Sequence, residues 1–219
     1  MARSDFRWRD LREGSATVFL VLPPDRMGAY ARWLRLMIAG CIQELARAPQ
    51  RPGTPPALLL LDEFAALGRL EPALQASGLM AGLGLQLWPI LQDLTQLRAA
   101  YGQQAGTFLA NSGLVQVGAP ADLETATWLS RVLGQATVQY ETSSHSTSTP
   151  VFSLNGQGGP GSTSEGTSTH LTGRALLSPD EAMRLAPHLQ VLLRPGHMPA
   201  LVAKLRHYAD REFAGLADG

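Results

Sequence analysis

The hydrophobic positions of this chain change period several times, and each change predicts an element. Ala16 to Leu22 (A-T-V-F-L-V-L) is a continuous β-prone run closed by Pro23-Pro24, the pattern of a buried strand ending at a turn. Tyr30, Trp33, Leu34, Met37, Ile38, Cys41, Ile42 and Leu45 then recur at helical spacing, a single apolar stripe with Arg32, Arg35, Gln43, Glu44 and Arg47 off it. On that stripe Cys41 reads as one more core position. After a Pro/Gly linker from Gln50 to Pro56, Ala57 to Leu61 is apolar on both faces and runs straight into Asp62-Glu63. Such runs belong to parallel strands covered by helices on both sides. A helix is expected from about Leu70 to Met80, then a strand from Leu85 to Leu91 ending at Gln92-Asp93. Helical stretches follow through Leu97 and from Gln103 to Ala110, with a short strand at Leu114 to Val117. Asp122 is placed to cap a helix carrying Leu123, Ala126, Leu129, Val132 and Leu133, which Gly134 stops.

Glu141 to Gly173 breaks the pattern. It is dominated by Ser, Thr and Gly, buries too little apolar surface to offset its ordering entropy, and reads as a mobile excursion. Within it, Gly156 to Gly161 (G-Q-G-G-P-G) matches the letters of a dinucleotide loop. No strand precedes it, Pro160 interrupts it and no helix opens after it, so that reading is set aside. Order returns at Ser178-Pro179-Asp180-Glu181, a capping box with proline in the first helical turn. Leu189 to Leu193, the Pro195-Gly196 turn and Ala200 to Leu205 predict a terminal hairpin. Alternating strands and helices at this spacing argue for an α/β fold with a mainly parallel sheet. The expected organisation is a first unit over 1–140, the excursion over 141–173, and a closing helix and hairpin over 174–219.

Composition narrows this picture. The chain has 219 residues, 45% hydrophobic and 16% charged, which suits an ordinary globular domain rather than a disordered chain. Its formal net charge is zero, so the total gives no electrostatic footprint for nucleic acid. Arg3, Arg7, Arg9 and Arg12, interleaved with Asp5 and Asp10, read as a solvated face. One cysteine excludes a disulfide framework, and no run reaches the ~20 apolar residues of a membrane span, so the chain as written reads as soluble and intracellular.

The chemistry lies at two strand ends. A hydrophobic strand closing on two acids, Leu58-Leu59-Leu60-Leu61-Asp62-Glu63, is the Walker-B arrangement. Asp62 would hold a Mg²⁺ that bridges nucleotide phosphates, and Glu63 would polarise the attacking water. Gln92 ends the next strand after one helical crossover, where a neutral amide can hydrogen-bond a γ-phosphate or the lytic water. Open α/β sheets bind ligands just beyond such strand ends. One count works against an ATPase: the only lysine is Lys204, with no glycine loop ahead of it, so no G-x-x-x-x-G-K-[ST] phosphate loop exists in these residues. The five histidines (His145, His170, His188, His197, His207) show no metal-ligand spacing near Asp62, which weakens a direct carboxylate–metal enzyme.

Taken together, L-L-L-L-D-E-F-A-A-L-G-R-L-E, M-A-G-L-G-L-Q-L-W-P-I-L-Q-D-L-T-Q-L-R-A-A-Y-G, T-F-L-A-N-S-G, A-D-L-E-T-A-T-W-L-S-R-V-L-G, L-L-S-P-D-E-A-M-R-L and R-P-G-H-M-P resemble the TraG/TraD-type coupling proteins of conjugation. The resemblance implies a RecA-like P-loop NTPase fold that uses ATP and Mg²⁺. It also implies membrane-anchored homo-hexameric rings at the cytoplasmic face of the bacterial inner membrane, which pass relaxase-bound single-stranded DNA to type IV secretion channel components. Carried over by position, Asp62 and Glu63 become the Walker-B pair and Gln92 the sensor, while the P-loop half and the membrane helices would precede residue 1. Family members often carry a basic residue shortly before the glutamine-bearing strand. Here that neighbourhood is Met80-Ala81-Gly82, which leaves Arg69 or Arg98 for a role across a subunit interface. Pro89 also falls inside that strand, where its missing N–H is expected to weaken the ladder. Two readings stay open: a catalytically incomplete motor portion, and a stand-alone binding or regulatory module for a full-length ring.

Overall fold

The structure, a computed structural model, describes residues 6–13, 16–47, 53–147 and 163–215. Short helix α1 (Asp10–Glu13) precedes the long helix α2 (Met27–Arg47), which buries Leu34, Ile38, Cys41, Ile42 and Leu45 of the stripe, while Tyr30 and Trp33 at its start stay exposed. Strand β1 (Ala57–Leu61), helix α3 (Glu71–Leu79) and strand β2 (Leu85–Pro89) form the crossover unit, and β1 pairs with β2 in parallel from Ala57↔Leu85 to Leu61↔Pro89. Helices α4 (Leu94–Tyr101) and α5 (Ala105–Ala110) close the first core beside Phe64, Leu67, Leu70 and Leu85.

Strand β3 (Val115–Val117) and helix α6 (Leu123–Leu133) open a second core. Strands β4 (Gln135–Thr147) and β5 (Thr163–Ala175), helix α7 (Pro179–Met183), and strands β6 (Leu189–Leu193) and β7 (Ala200–Ala203) complete the order. The second sheet runs β3-β6-β7, antiparallel throughout, and packs Val117, Val191 and Leu193 against Ala126 and Leu129 of α6 and Ala182 of α7. Trp128 touches both cores and joins them. Parallel pairing among the described residues is thus confined to the two strands that carry the candidate site. The caps form as the sequence requires: Asp122 accepts from the Thr125 amide at 2.8 Å, and Ser178 and Glu181 make a reciprocal capping box. No helix among the described residues is long and apolar enough to cross a membrane.

Four expectations need correction. Ala16 to Leu22 forms no strand and pairs with none among the described residues. It lays Leu20 and Leu22 on the first core and leaves Phe19 and Val21 each 81% exposed. The Arg3–Arg12 face is not wholly solvated, since Arg12 is buried and its guanidinium donates to the Leu83 carbonyl. Pro89 does not weaken the β1–β2 ladder. Ile90 N–H donates to Leu61 O at 2.9 Å, and alternate residues of a parallel strand face one neighbour, so the missing N–H of Pro89 falls on the opposite edge.

The fourth concerns the Ser/Thr/Gly stretch, whose described flanks are regular. β4 and β5 pair antiparallel from Gln135↔Ala175 to Thr147↔Thr163 as a two-stranded ribbon, closed at its base by Leu176 N–H to Gly134 O at 3.0 Å. Each strand pairs the inward-facing half of the other's backbone groups and leaves the outer edge unpaired in the sheet, so the segment is laddered without contributing to either core. Its residues beyond Tyr140 on β4, and from Ser164 to Arg174 on β5, are exposed. Gly156 to Gly161 lies outside the described residues.

Candidate functional site

The site begins where β1 leaves the sheet. Ile90 uses its N–H on Leu61 O and its carbonyl on the Phe64 amide, at 2.9 and 3.0 Å. A regular parallel ladder would bring that carbonyl to residue 63, so one extra residue is looped out between the two bonds. Glu63 takes up the excess at φ 48, ψ 42, the only non-glycine residue at positive φ among the described residues. Left-handed backbone is costly for a residue with a Cβ and gathers at functional sites. Asp62 steadies the turn by accepting the Glu63 amide on Oδ1 at 3.0 Å. Both carboxylates are therefore exposed beyond the sheet edge, while Phe64 returns at once to the core with 0% exposure.

From the neighbouring strand end, Gln92 Nε2 donates to both oxygens of Glu63, at 3.0 and 3.1 Å. The two strand ends singled out in the sequence, 29 residues apart, thus meet in one constellation. Behind Gln92 the chain turns into α4 through Asp93, whose Oδ1 accepts the Gln96 amide at 2.7 Å. Gln96 Nε2 reaches back to Gln92 Oε1 at 3.3 Å, and the buried Leu94 amide donates to Thr125 Oγ1 at 3.0 Å, tying α4 to α6.

Arg69 and Arg98 are both engaged within the chain. Arg69 pairs with Glu71 at 2.8 Å and also donates to Gln104. Arg98 Nε lies 2.8 Å from Glu124, which also accepts from Thr95 Oγ1 at 3.3 Å. Lys204 follows β7, donates its amide to His188 O at 2.7 Å and brings its ammonium against Gly118, with no phosphate-cradling loop around it.

No cluster of three or more His, Cys, Asp or Glu among the described residues could cage a metal. A single exposed carboxylate fits Mg²⁺ only as a partial ligand, of the kind held mainly by water and nucleotide phosphates. Asp62 has that character. Sequence reading missed three contributors: the left-handed Glu63, the Phe64 plug and the Gln92–Gln96 contact. The signals were an aromatic directly after the acids and a second glutamine four residues beyond Gln92.

Residues 1–217 match the family model described as type IV secretory system conjugative DNA transfer. The chain belongs to that family. Protein VirD4 of Agrobacterium fabrum is 31% identical over 217 residues, covering 96% of this chain and 30% of that protein. Conjugal transfer protein TraG of Escherichia coli is 29% identical over 200 residues, 84% of this chain and 30% of its own length. The chain therefore spans about a third of the curated relatives it matches. Among solved structures, the unbound bacterial conjugative coupling protein TrwBdeltaN70 superposes with TM-score 0.70 at 20% identity, over 91% of this chain and 44% of that one. TrwB in complex with a non-hydrolysable ATP analogue gives 0.69 at 20% identity, over 93% and 44%, and TrwB with ADP and Mg²⁺ gives 0.68 at 19%, over 91% and 43%. The α/β, RecA-like fold class and the TraG/TraD-type assignment both hold.

Proposed function

We propose that this chain carries the hydrolytic side of an ATP site in a DNA-transfer coupling protein. The observation that supports it best is the bridge between Glu63 and Gln92, which joins the ends of two parallel strands where an open α/β sheet binds its ligand. Bound Mg²⁺ would neutralise charge on the nucleotide phosphates. Asp62 would orient that ion, directly or through water. Glu63 would accept the proton of the attacking water, and Gln92, released from the carboxylate, would donate to the γ-phosphate or to that water. Arg69 or Arg98 would act across a subunit boundary only after leaving Glu71 or Glu124. By membership of the family, the larger assembly would be a homo-hexameric ring at the cytoplasmic face of the inner membrane, passing relaxase-bound single-stranded DNA to the secretion channel.

The phosphate cradle has to come from polypeptide outside these residues, because the single lysine stands at the end of β7. The outer face of the β1–β2 pair has room for it. Leu58, Leu60 and Trp88 are 51, 54 and 47% exposed on a parallel sheet, an arrangement that is ordinarily covered on both faces. The same exposed face supports the second reading, a non-catalytic module that docks on a full-length ring. The test is turnover by a polypeptide uniting these residues with a phosphate loop. Glu63→Gln should cut the rate by roughly two orders of magnitude or more while sparing nucleotide affinity. Wild-type turnover in that variant overturns the hydrolytic reading.

A further inference from the structure

The hydrogen-bond network at Glu63 does not stop at Gln92. A carboxylate only accepts, so the Gln92 amide faces Glu63 through its NH₂ group, at 3.0 and 3.1 Å. Gln92 Oε1 is then left as an acceptor on the far side, and Gln96 Nε2 donates to it at 3.3 Å. Gln96 is half-buried and stands in the first turn of α4, its backbone N–H fixed by the Asp93 cap at 2.7 Å. A glutamine at this third helical position commonly turns back onto the amide of the capping residue. Here its own NH₂ group goes to Gln92. Thr95 and Arg98, on the same helix, turn instead to Glu124.

We propose that Gln96 is a positioning residue: by donating to Gln92 Oε1 it fixes the polarity of the Gln92 amide, so that NH₂ rather than the carbonyl faces Glu63 and the reacting groups. The inference rests on the reading of Glu63 and Gln92 as a hydrolytic pair. A primary amide is nearly symmetric in shape, and its two ends differ only in donating or accepting. Facing a phosphate or a carboxylate, the donor end attracts and the carbonyl end repels. While Glu63 is in contact the two partners select the donor end together, so loss of the Gln96 donor already weakens the preference. Once Gln92 leaves Glu63 to meet a phosphate, the Gln96 donor still holds the amide the right way round.

Substitutions at Gln96 can change the sign of this contact. Gln96→Lys keeps a donor toward Gln92 Oε1, Gln96→Ala removes it, and Gln96→Glu replaces it with an acceptor that competes with Glu63 for the Gln92 NH₂ group. The experiment is NMR of the 219-residue chain. It follows the side-chain NH₂ resonances of Gln92, identified by their loss in Gln92→Ala, with and without Glu63→Ala. In the parent and in Gln96→Lys, Glu63→Ala should shift those resonances; in Gln96→Ala the shift should shrink, and in Gln96→Glu it should vanish. An undiminished shift in Gln96→Glu, or its loss in Gln96→Lys as well, overturns the proposal. Should Gln96→Glu fail to fold, an undiminished shift in Gln96→Ala overturns it equally. No nucleotide is involved, so this outcome is independent of the Glu63→Gln turnover test, whose failure would remove the hydrolytic reading and leave the contact standing.

Discussion

Phe64, with 0% exposure, stacks on Tyr101 with ring centroids 5.7 Å apart, one residue after the exposed Glu63. Phe108 meets both rings edge-on, at 5.5 and 4.8 Å, and the Tyr101 hydroxyl accepts the Leu70 amide at 3.1 Å. The looped-out acids are thus anchored from below by a three-ring cluster joining the β1 exit to α4 and α5. A strained residue persists only where its surroundings over-determine it, and this cluster supplies that constraint.

Truncating the plug should therefore cost stability and site geometry together. Phe64→Ala should lower the unfolding free energy by roughly 3–5 kcal/mol in denaturant titration. Tyr101→Phe keeps the ring but leaves the Leu70 amide unpaired, for a loss of roughly 1–3 kcal/mol. A loss below roughly 1 kcal/mol for Phe64→Ala would show that the anchor is not what holds the turn.

The left-handed backbone at Glu63 predicts a trade of stability against function. Glu63→Gly removes the Cβ that makes φ 48 costly, while giving the unfolded chain more freedom. The two effects nearly offset, so stability should stay within about 1 kcal/mol of the parent. Glu63→Val puts a β-branched residue at the same φ and should lose roughly 1–3 kcal/mol. Equal denaturation midpoints for the two variants would contradict the strain argument.

Much of this was legible in the sequence because the local signals agreed with the fold. The L-L-L-L-D-E strand, the Asp122 and Ser178 caps and the Leu34–Leu45 stripe each combine period, cap chemistry and burial. Misreadings arose where a pattern leaves the pairing partner unspecified. Ala16 to Leu22 has strand composition, but a strand needs a neighbour, and the run only rests Leu20 and Leu22 on the core instead. The Ser/Thr stretch lacks apolar content, yet its two arms pair with each other, and hydropathy does not report ladder formation. At the site, residue types were readable, but the φ of Glu63 and the direction of the Gln92 amide were not, since both depend on tertiary contacts.

The ribbon yields a prediction on modularity. Its distal residues belong to neither core. Replacing residues 143–167 by Asn-Gly, a two-residue hairpin turn, should keep the register between Thr142 and Ser168, a hydrogen-bonded position of the ribbon. The unfolding midpoint of the shortened chain should match the parent. A cooperative loss of both cores would mean that the segment is structurally integral, against the reading of 141–173 as a dispensable excursion.

Cys41 is buried on α2, and desolvation, with a smaller contribution from Glu44, pushes its thiol up to about 12. The unfolded thiol titrates near 9, so the native state holds the proton over the window from about 9 to about 12. The stability from this group is fully present below about 9 and is lost as pH rises through that window. Native protein at pH 9 should therefore alkylate slowly, at a rate set by unfolding, and Cys41→Ala should flatten the alkaline fall in stability. Rapid native-state alkylation would contradict the burial.

The final prediction separates the three site residues by what each loss removes. In a polypeptide that unites them with a phosphate loop, Asp62→Ala should weaken Mg²⁺-nucleotide binding, because on the proposed hydrolytic reading this exposed carboxylate would orient the ion. Glu63→Gln preserves the size of the side chain and its place beside Gln92, yet it lacks a basic oxygen of comparable strength. Binding should survive while turnover falls roughly 10²-fold or more. Gln92→Ala removes the amide from both Glu63 and the phosphate position, so binding should again survive. Its turnover should cease to respond to single-stranded DNA, because the amide links Glu63 to Gln96 in the first turn of α4, the helix tied to Thr125 on α6. Nucleotide affinities and DNA-stimulated rates for the three variants decide the matter. If all three lose affinity alike, the residues act as a structural turn and not as separate parts of a hydrolytic site.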